Sequence, residues 1–78
     1  MKNITPNQMY SRIGQNVAKI RKEQNMSQLE LSLNMGYKSV SVVSASEIFY
    51  KNKHFNLEQL LNISQILDVT ICELINLE

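Results

Sequence analysis

The chain has 78 residues and a mass of 9.0 kDa, room for one domain (1–78), since domains commonly run to roughly 100–150 residues. Its 44% apolar and 19% charged residues describe a globular protein, and two glycines with one proline exclude a turn-rich β-sandwich or barrel. The net charge of +1 hides a division: residues 1–54 carry all eight Lys and Arg against three Glu, whereas residues 55–78 carry four acidic residues and no basic one. Such polarity suits a phosphate-binding face on a weakly charged protein.

In chain order, Thr5-Pro6 opens the first helix, with Thr as N-cap and Pro at the first helical position. Met9, Ile13, Val17 and Ile20 form its apolar stripe, and the helix should end near Gln24-Asn25. Gly14 costs this helix about 1 kcal/mol relative to Ala, which predicts a close packing contact. Ser27-Gln28-Leu29-Glu30 is a capping box and starts a second helix over about 28–35, ended by Gly36. Ser39 is placed to cap a third helix over about 40–49, followed by the polar loop Lys51-Asn52-Lys53-His54. Asn56 with Gln59 marks the start of a strongly apolar fourth helix. Thr70 with Glu73 opens a short last one containing Ile71, Leu74, Ile75 and Leu77. The expected fold is all-α, a compact bundle of five helices.

Two helices joined by a tight glycine-containing turn are the helix-turn-helix signature. The stretch from Ile20-Arg21 through Ser27-Gln28-Leu29-Glu30-Leu31-Ser32 resembles the opening of the phage-repressor/Cro type helix-turn-helix family of xenobiotic-response-element regulators. Gly36 falls at that family's turn glycine, and Val43-Ser44-Ala45-Ser46-Glu47 is similar to its Ile-Ser-x-Ile-Glu. Asn56-Leu57-Glu58-Gln59-Leu60-Leu61 with Ile66-Leu67-Asp68-Val69 resembles its fourth helix and Leu-x-Val ending. The likeness covers roughly residues 13–77 and implies a lambda-repressor-like DNA-binding domain whose third helix reads DNA. Three departures stand out. Gly36 to Glu47 is one residue longer, the loop from Glu47 to Leu57 is longer and lacks the usual Gly and Pro, and Ser46 replaces a large apolar residue.

The expected DNA contacts follow from chemistry and this alignment together. Gln28 sits at a helix start, and Lys38, Lys51, Lys53 and His54 flank the third helix as phosphate clamps. Ser39, Val40, Ser41, Ser44 and Ala45 project outward if Val43 and Ser46 face the core. These short side chains offer modest direct readout. The resemblance implies a structural salt bridge between Arg21 and Glu47. Surplus apolar residues on the last helix (Ile71, Leu74, Ile75 and Leu77) suggest a homodimer interface.

Other classes are disfavoured. No apolar run approaches the ~18–20 residues of a membrane span, and residues 1–10 are too polar for a secretion signal, so a cytoplasmic protein is expected. Cys72 alone cannot form an internal disulfide, and one Cys with one His cannot close a structural zinc site. Without a phosphate-binding glycine loop or nucleophile elbow, neither enzyme activity nor a cofactor is expected. The expected protein is a cytoplasmic transcription regulator, a repressor or an activator, that binds double-stranded operator DNA as a homodimer. Variants of the same fold include a restriction–modification controller and an antitoxin with a toxin or other regulatory protein as partner. A helical protein-interaction module without DNA binding is the alternative from another class.

Overall fold

The computed structural model describes residues 3–78; Met1 and Lys2, the latter one of the eight basic residues, lie outside them. Five α-helices follow in order: α1 (Pro6–Glu23), α2 (Gln28–Asn34), α3 (Ser41–Glu47), α4 (Leu57–Leu67) and α5 (Ile71–Leu74), with a 3₁₀ turn at Tyr50–Asn52 between α3 and α4. No strand occurs among the described residues.

Local chemistry sets most helix ends. Thr5 and Gln8, Ser27 and Glu30, and Asn56 and Gln59 form complete capping boxes at α1, α2 and α4. Each satisfies two backbone or cap donors that the helix start leaves open. At α5 only the Thr70 half forms, its hydroxyl accepting from Glu73 N–H at 3.2 Å. Two helices stop in left-handed C-terminal turns of the Schellman type. After α1, Asn25 takes φ 58° while Met26 N–H bonds Arg21 C=O at 3.0 Å. After α2, Gly36 takes φ 94° while Tyr37 N–H bonds Ser32 C=O at 2.9 Å. The Tyr37 hydroxyl then accepts from Gln59 Nε2 at 2.9 Å, which anchors the turn after α2 to the start of α4.

α3 is the exception. It runs Ser41–Glu47, shorter than the expected 40–49. Val40 occupies the N-cap and has no side-chain acceptor, so the helix begins without a cap bond. Ser39, expected as the cap, instead bonds its near neighbour Ser41. At the other end Phe49 turns left-handed at φ 57°, which ends the helix.

One apolar cluster unites the elements: Ile13 and Val17 of α1, Leu31 of α2, Val43 of α3, Phe55, Leu60, Ile63 and Leu67 around α4, and Leu74 of α5. The predicted α1 stripe lies on it, with Met9 and Ile20 at its margin. Gly14 meets α3 backbone to backbone, since a Cβ there would stand 2.5 Å from the Ser46 carbonyl oxygen and 2.6 Å from that of Glu47. Ser46 is buried beside it, so two small residues allow a close crossing of α1 and α3.

Candidate nucleic-acid interface

The α1–α3 crossing is locked by a buried ion pair. Arg21 Nε and Nη2 donate to the two carboxylate oxygens of Glu47 at 2.8 and 3.0 Å, a bidentate geometry. Arg21 Nη1 donates to Met26 C=O at 2.8 Å, and Gln28 Nε2 donates to Glu47 Oε1 at 2.9 Å. Every charge in this cluster therefore has a partner, and α1, α2 and α3 are pinned at one point. One of the two N–H bonds of the Gln28 amide is thereby used inside the protein.

With α3 fixed in this way, two shallow grooves flank it. Gln15, Ala18, Lys19 and Lys22 of α1, Ser27, Gln28 and Leu29 at the start of α2, and Val40 and Ile48 at the two ends of α3 line the first. Ser41, Val42, Ser44 and Ala45 of α3, together with Tyr50, Lys53 and His54, line the second. Each groove thus has basic side chains on the wall away from α3. The only carboxylate in either is Glu47, already bound by Arg21 and Gln28.

Most of the residues expected at DNA cluster around this ridge. Val43 and Ser46 are buried, Ser41 is exposed, and Ser44 and Ala45 are half-buried beside it. Lys53 and His54 share their groove, and Val40 and Gln28 share the other with Lys19 and Lys22. Lys38, Ser39 and Lys51 are exposed beyond both grooves, and the Lys51 ammonium lies 5.4 Å from the Tyr50 ring centroid. Lys19, Lys22 and Tyr50 escaped the sequence reading. The signal for the lysines was their i, i+3 spacing on the side of α1 opposite its apolar stripe.

The loop after α3 is held by rings. The Tyr10 and His54 centroids stack 3.7 Å apart, with Phe49 at 6.3 Å from Tyr10. Phe49, Lys51 and Asn52 all adopt positive φ without a glycine among them. Around α4 and α5 the expected interface residues separate. Leu74 is 0% exposed and belongs to the core, which removes it from any contact surface, while Ile71 and Leu77 are half-buried and Ile75 is 38% exposed. Ile75 and Leu77 line an apolar groove with Met9, Phe55 and Leu57, the last 72% exposed.

Among the described residues no group of three or more His, Cys, Asp or Glu could hold a metal ion, and Cys72 is free and exposed. No helix there is long and apolar enough to cross a membrane.

A small all-α domain with a glycine-turned helix pair and cations on both flanks of the second helix belongs to the DNA-binding class of helix-turn-helix proteins. The helix-turn-helix family model of the Cro type matches residues 17–74, more than half of the chain, and the chain belongs to this phage-repressor/Cro-type family of DNA-binding regulators, which is generally non-enzymatic. No curated protein matches it.

Proposed function

We propose that this protein is a cytoplasmic transcriptional repressor that binds operator DNA as a homodimer, with α3 in the major groove. The carrying observation is the placement of Lys19 and Lys22 in one groove beside α3 and of Lys53 and His54 in the other. Phosphate strands border a major groove on both sides, so an inserted helix gains from cations on both flanks. Gln28, Lys38 and Lys51 extend that footprint, and Ser39, Val40, Ser41, Ser44 and Ala45 form the edge turned toward the bases. The whole of 1–78 acts as one domain, without cofactor or catalysis.

Dimerisation draws on exposed apolar surface. Leu57 and Ile75, flanked by Leu77 and Ile71, present a patch that two copies cover by two-fold pairing. Pairing of this kind sets two recognition helices about 34 Å apart, one DNA turn. A phage repressor, a restriction–modification controller and an antitoxin all fit this reading, the last adding a toxin as partner. A second reading, a helical protein-interaction module, draws on Ile48 and Leu29, which are 71% and 47% exposed in the Lys19–Lys22 groove.

Titration of the full chain against the DNA immediately upstream of its own gene, across a salt series, separates the two. A DNA binder loses affinity steeply with salt, and Lys53→Ala flattens the slope by about one. Absence of any salt-dependent shift would leave the interaction module as the surviving reading.

A further inference from the structure

The edge of α3 that the proposed function turns toward DNA carries few free hydrogen-bonding groups. From Ser39 to Ala45 the residues are Ser, Val, Ser, Val, Val, Ser and Ala, with no Arg, Lys, Asn, Gln, Asp or Glu among them. Two of the three hydroxyl hydrogens are engaged within the protein. Ser39 and Ser41 Oγ bond each other at 3.0 Å, so one of their two hydroxyl hydrogens is used between them. Ser44 Oγ donates its single hydrogen to Ser41 C=O at 3.3 Å. Three serines therefore offer one free donor hydrogen to the acceptors on base edges.

Beside that one hydrogen and the hydroxyl lone pairs, the two flanks of α3 present hydrocarbon. Val40, 37% exposed, lines the Lys19–Lys22 groove at the start of α3, and the Ala45 methyl lines the groove on the other flank beside Ser41, Val42 and Ser44. Among the four bases only thymine places a methyl group in the major groove, and small apolar side chains are its complement. An unpaired hydrophobic contact of this kind would be uninformative on guanine or cytosine, whose edges there are purely polar or unmethylated.

We propose that this protein discriminates among DNA sequences chiefly through thymine 5-methyl groups, with Val40 and Ala45 as the reading side chains. The proposal rests on the DNA-binding reading above and adds the chemical feature recognised. Each methyl removed from such a contact should cost about three- to fourfold in affinity, the worth of one buried methyl.

The test starts from the duplex that the full chain enriches from a random-sequence pool. Thymines in that duplex are replaced by uracil, which deletes the methyl and leaves the pairing edge intact, and in a third duplex by 5-bromouracil, whose bromine refills the methyl's volume. The expected result is about a tenfold loss with uracil and recovery with bromouracil. Val40→Ala, checked by thermal melting for an intact fold, should shrink the thymine–uracil difference by about threefold. That outcome separates a methyl contact from altered DNA flexibility, to which the protein variant is blind. Equal affinity for thymine and uracil duplexes, or an enriched sequence without thymine, overturns the proposal while leaving DNA binding intact. Failure to retain any DNA from the pool overturns the DNA-binding reading itself.

Discussion

At Gly14 the absence of a side chain sets the distance between two helices. An added methyl would meet the carbonyl oxygens of Ser46 and Glu47, and neither is the flexible end of a side chain. Gly14→Ala should therefore destabilise by about 1–3 kcal/mol despite the roughly 1 kcal/mol gained in helix propensity. A raised melting temperature would show that α1 and α3 separate without cost. Ser32 presents the opposite case, a fully buried hydroxyl without a hydrogen-bond partner. Ser32→Ala removes that unpaired group with little change in volume and should stabilise by about 1 kcal/mol in denaturant unfolding. Arg21 and Glu47 are buried and bidentate, so Arg21→Ala strands the carboxylate and should destabilise by about 3–5 kcal/mol. Glu47→Ala should do likewise, and the double variant should lose less than the sum. Glu30 supplies a pH-dependent contribution. The Ser27 backbone N–H first, and its hydroxyl second, hold the Glu30 carboxyl below the usual carboxylate range. Its folded-state pKa lies under its unfolded one, so the contribution is present above the unfolded pKa and disappears as pH falls through the folded pKa. The melting-temperature gap between wild type and Glu30→Gln should narrow on acidification across that window, and a constant gap would exclude the linkage.

Among the elements, the loop after α3 is the one whose shape depends on distant residues. Its hydrogen bonds stay local: Asn52 N–H to Phe49 C=O, Lys53 N–H to Tyr50 C=O, and His54 Nδ1 with Asn52 C=O. The stack of Tyr10 on His54 ties it to α1. Tyr10→Ala should weaken DNA binding several-fold through Lys53 and His54, measured by titration, without moving the salt slope of the residual binding. A left-handed φ costs an ordinary residue about 1 kcal/mol, so Lys51→Gly should be more stable than Lys51→Ala in thermal melts, while both lose the proposed phosphate contact alike. Equal stability would mean that the turn relaxes to another conformation. The boundaries of α1, α2 and α4 were readable in the sequence because Thr5, Ser27, Asn56 and Gly36 act within three residues of themselves. Those of α3 were not, since Val40 caps nothing and the helix ends where Phe49 turns against Tyr10, far away in the chain. Gln28 was legible as a polar residue at a helix start, but its bond to Glu47 spans 19 residues. The Lys19–Lys22 groove exists only once α1 crosses α3. Ser46, an apparent misfit for a large apolar position, makes sense against Gly14 on the other side of that crossing.

For the whole molecule, all the basic residues lie within residues 1–54, which hold α1 to α3 and most of the loop after them, while residues 55–78 with α4 and α5 carry Glu58, Asp68, Glu73 and Glu78 without a cation. In the proposed binding mode that division turns the acidic helices away from phosphate. Leu57→Asp with Ile75→Asp should leave the fold intact, because both side chains are solvent-exposed, and convert the protein to a 9.0 kDa monomer in sedimentation. A monomer already in the wild type at micromolar concentration would rule out the interface. Leu74→Asp should instead unfold the chain, since that side chain is fully buried. Asn16 Nδ2 donates to Leu74 C=O at 2.9 Å and Asn76 C=O at 2.7 Å, and Arg12 Nη1 reaches Leu77 C=O at 3.4 Å, joining residues 58 to 65 apart. Translation makes α1 before α5, yet the core that Ile13 and Val17 enter is complete only when Leu74 joins it. Val43 of α3 enters that same core, so a message cut short before α5 should yield a chain in which the helix proposed to enter DNA lacks its finished support.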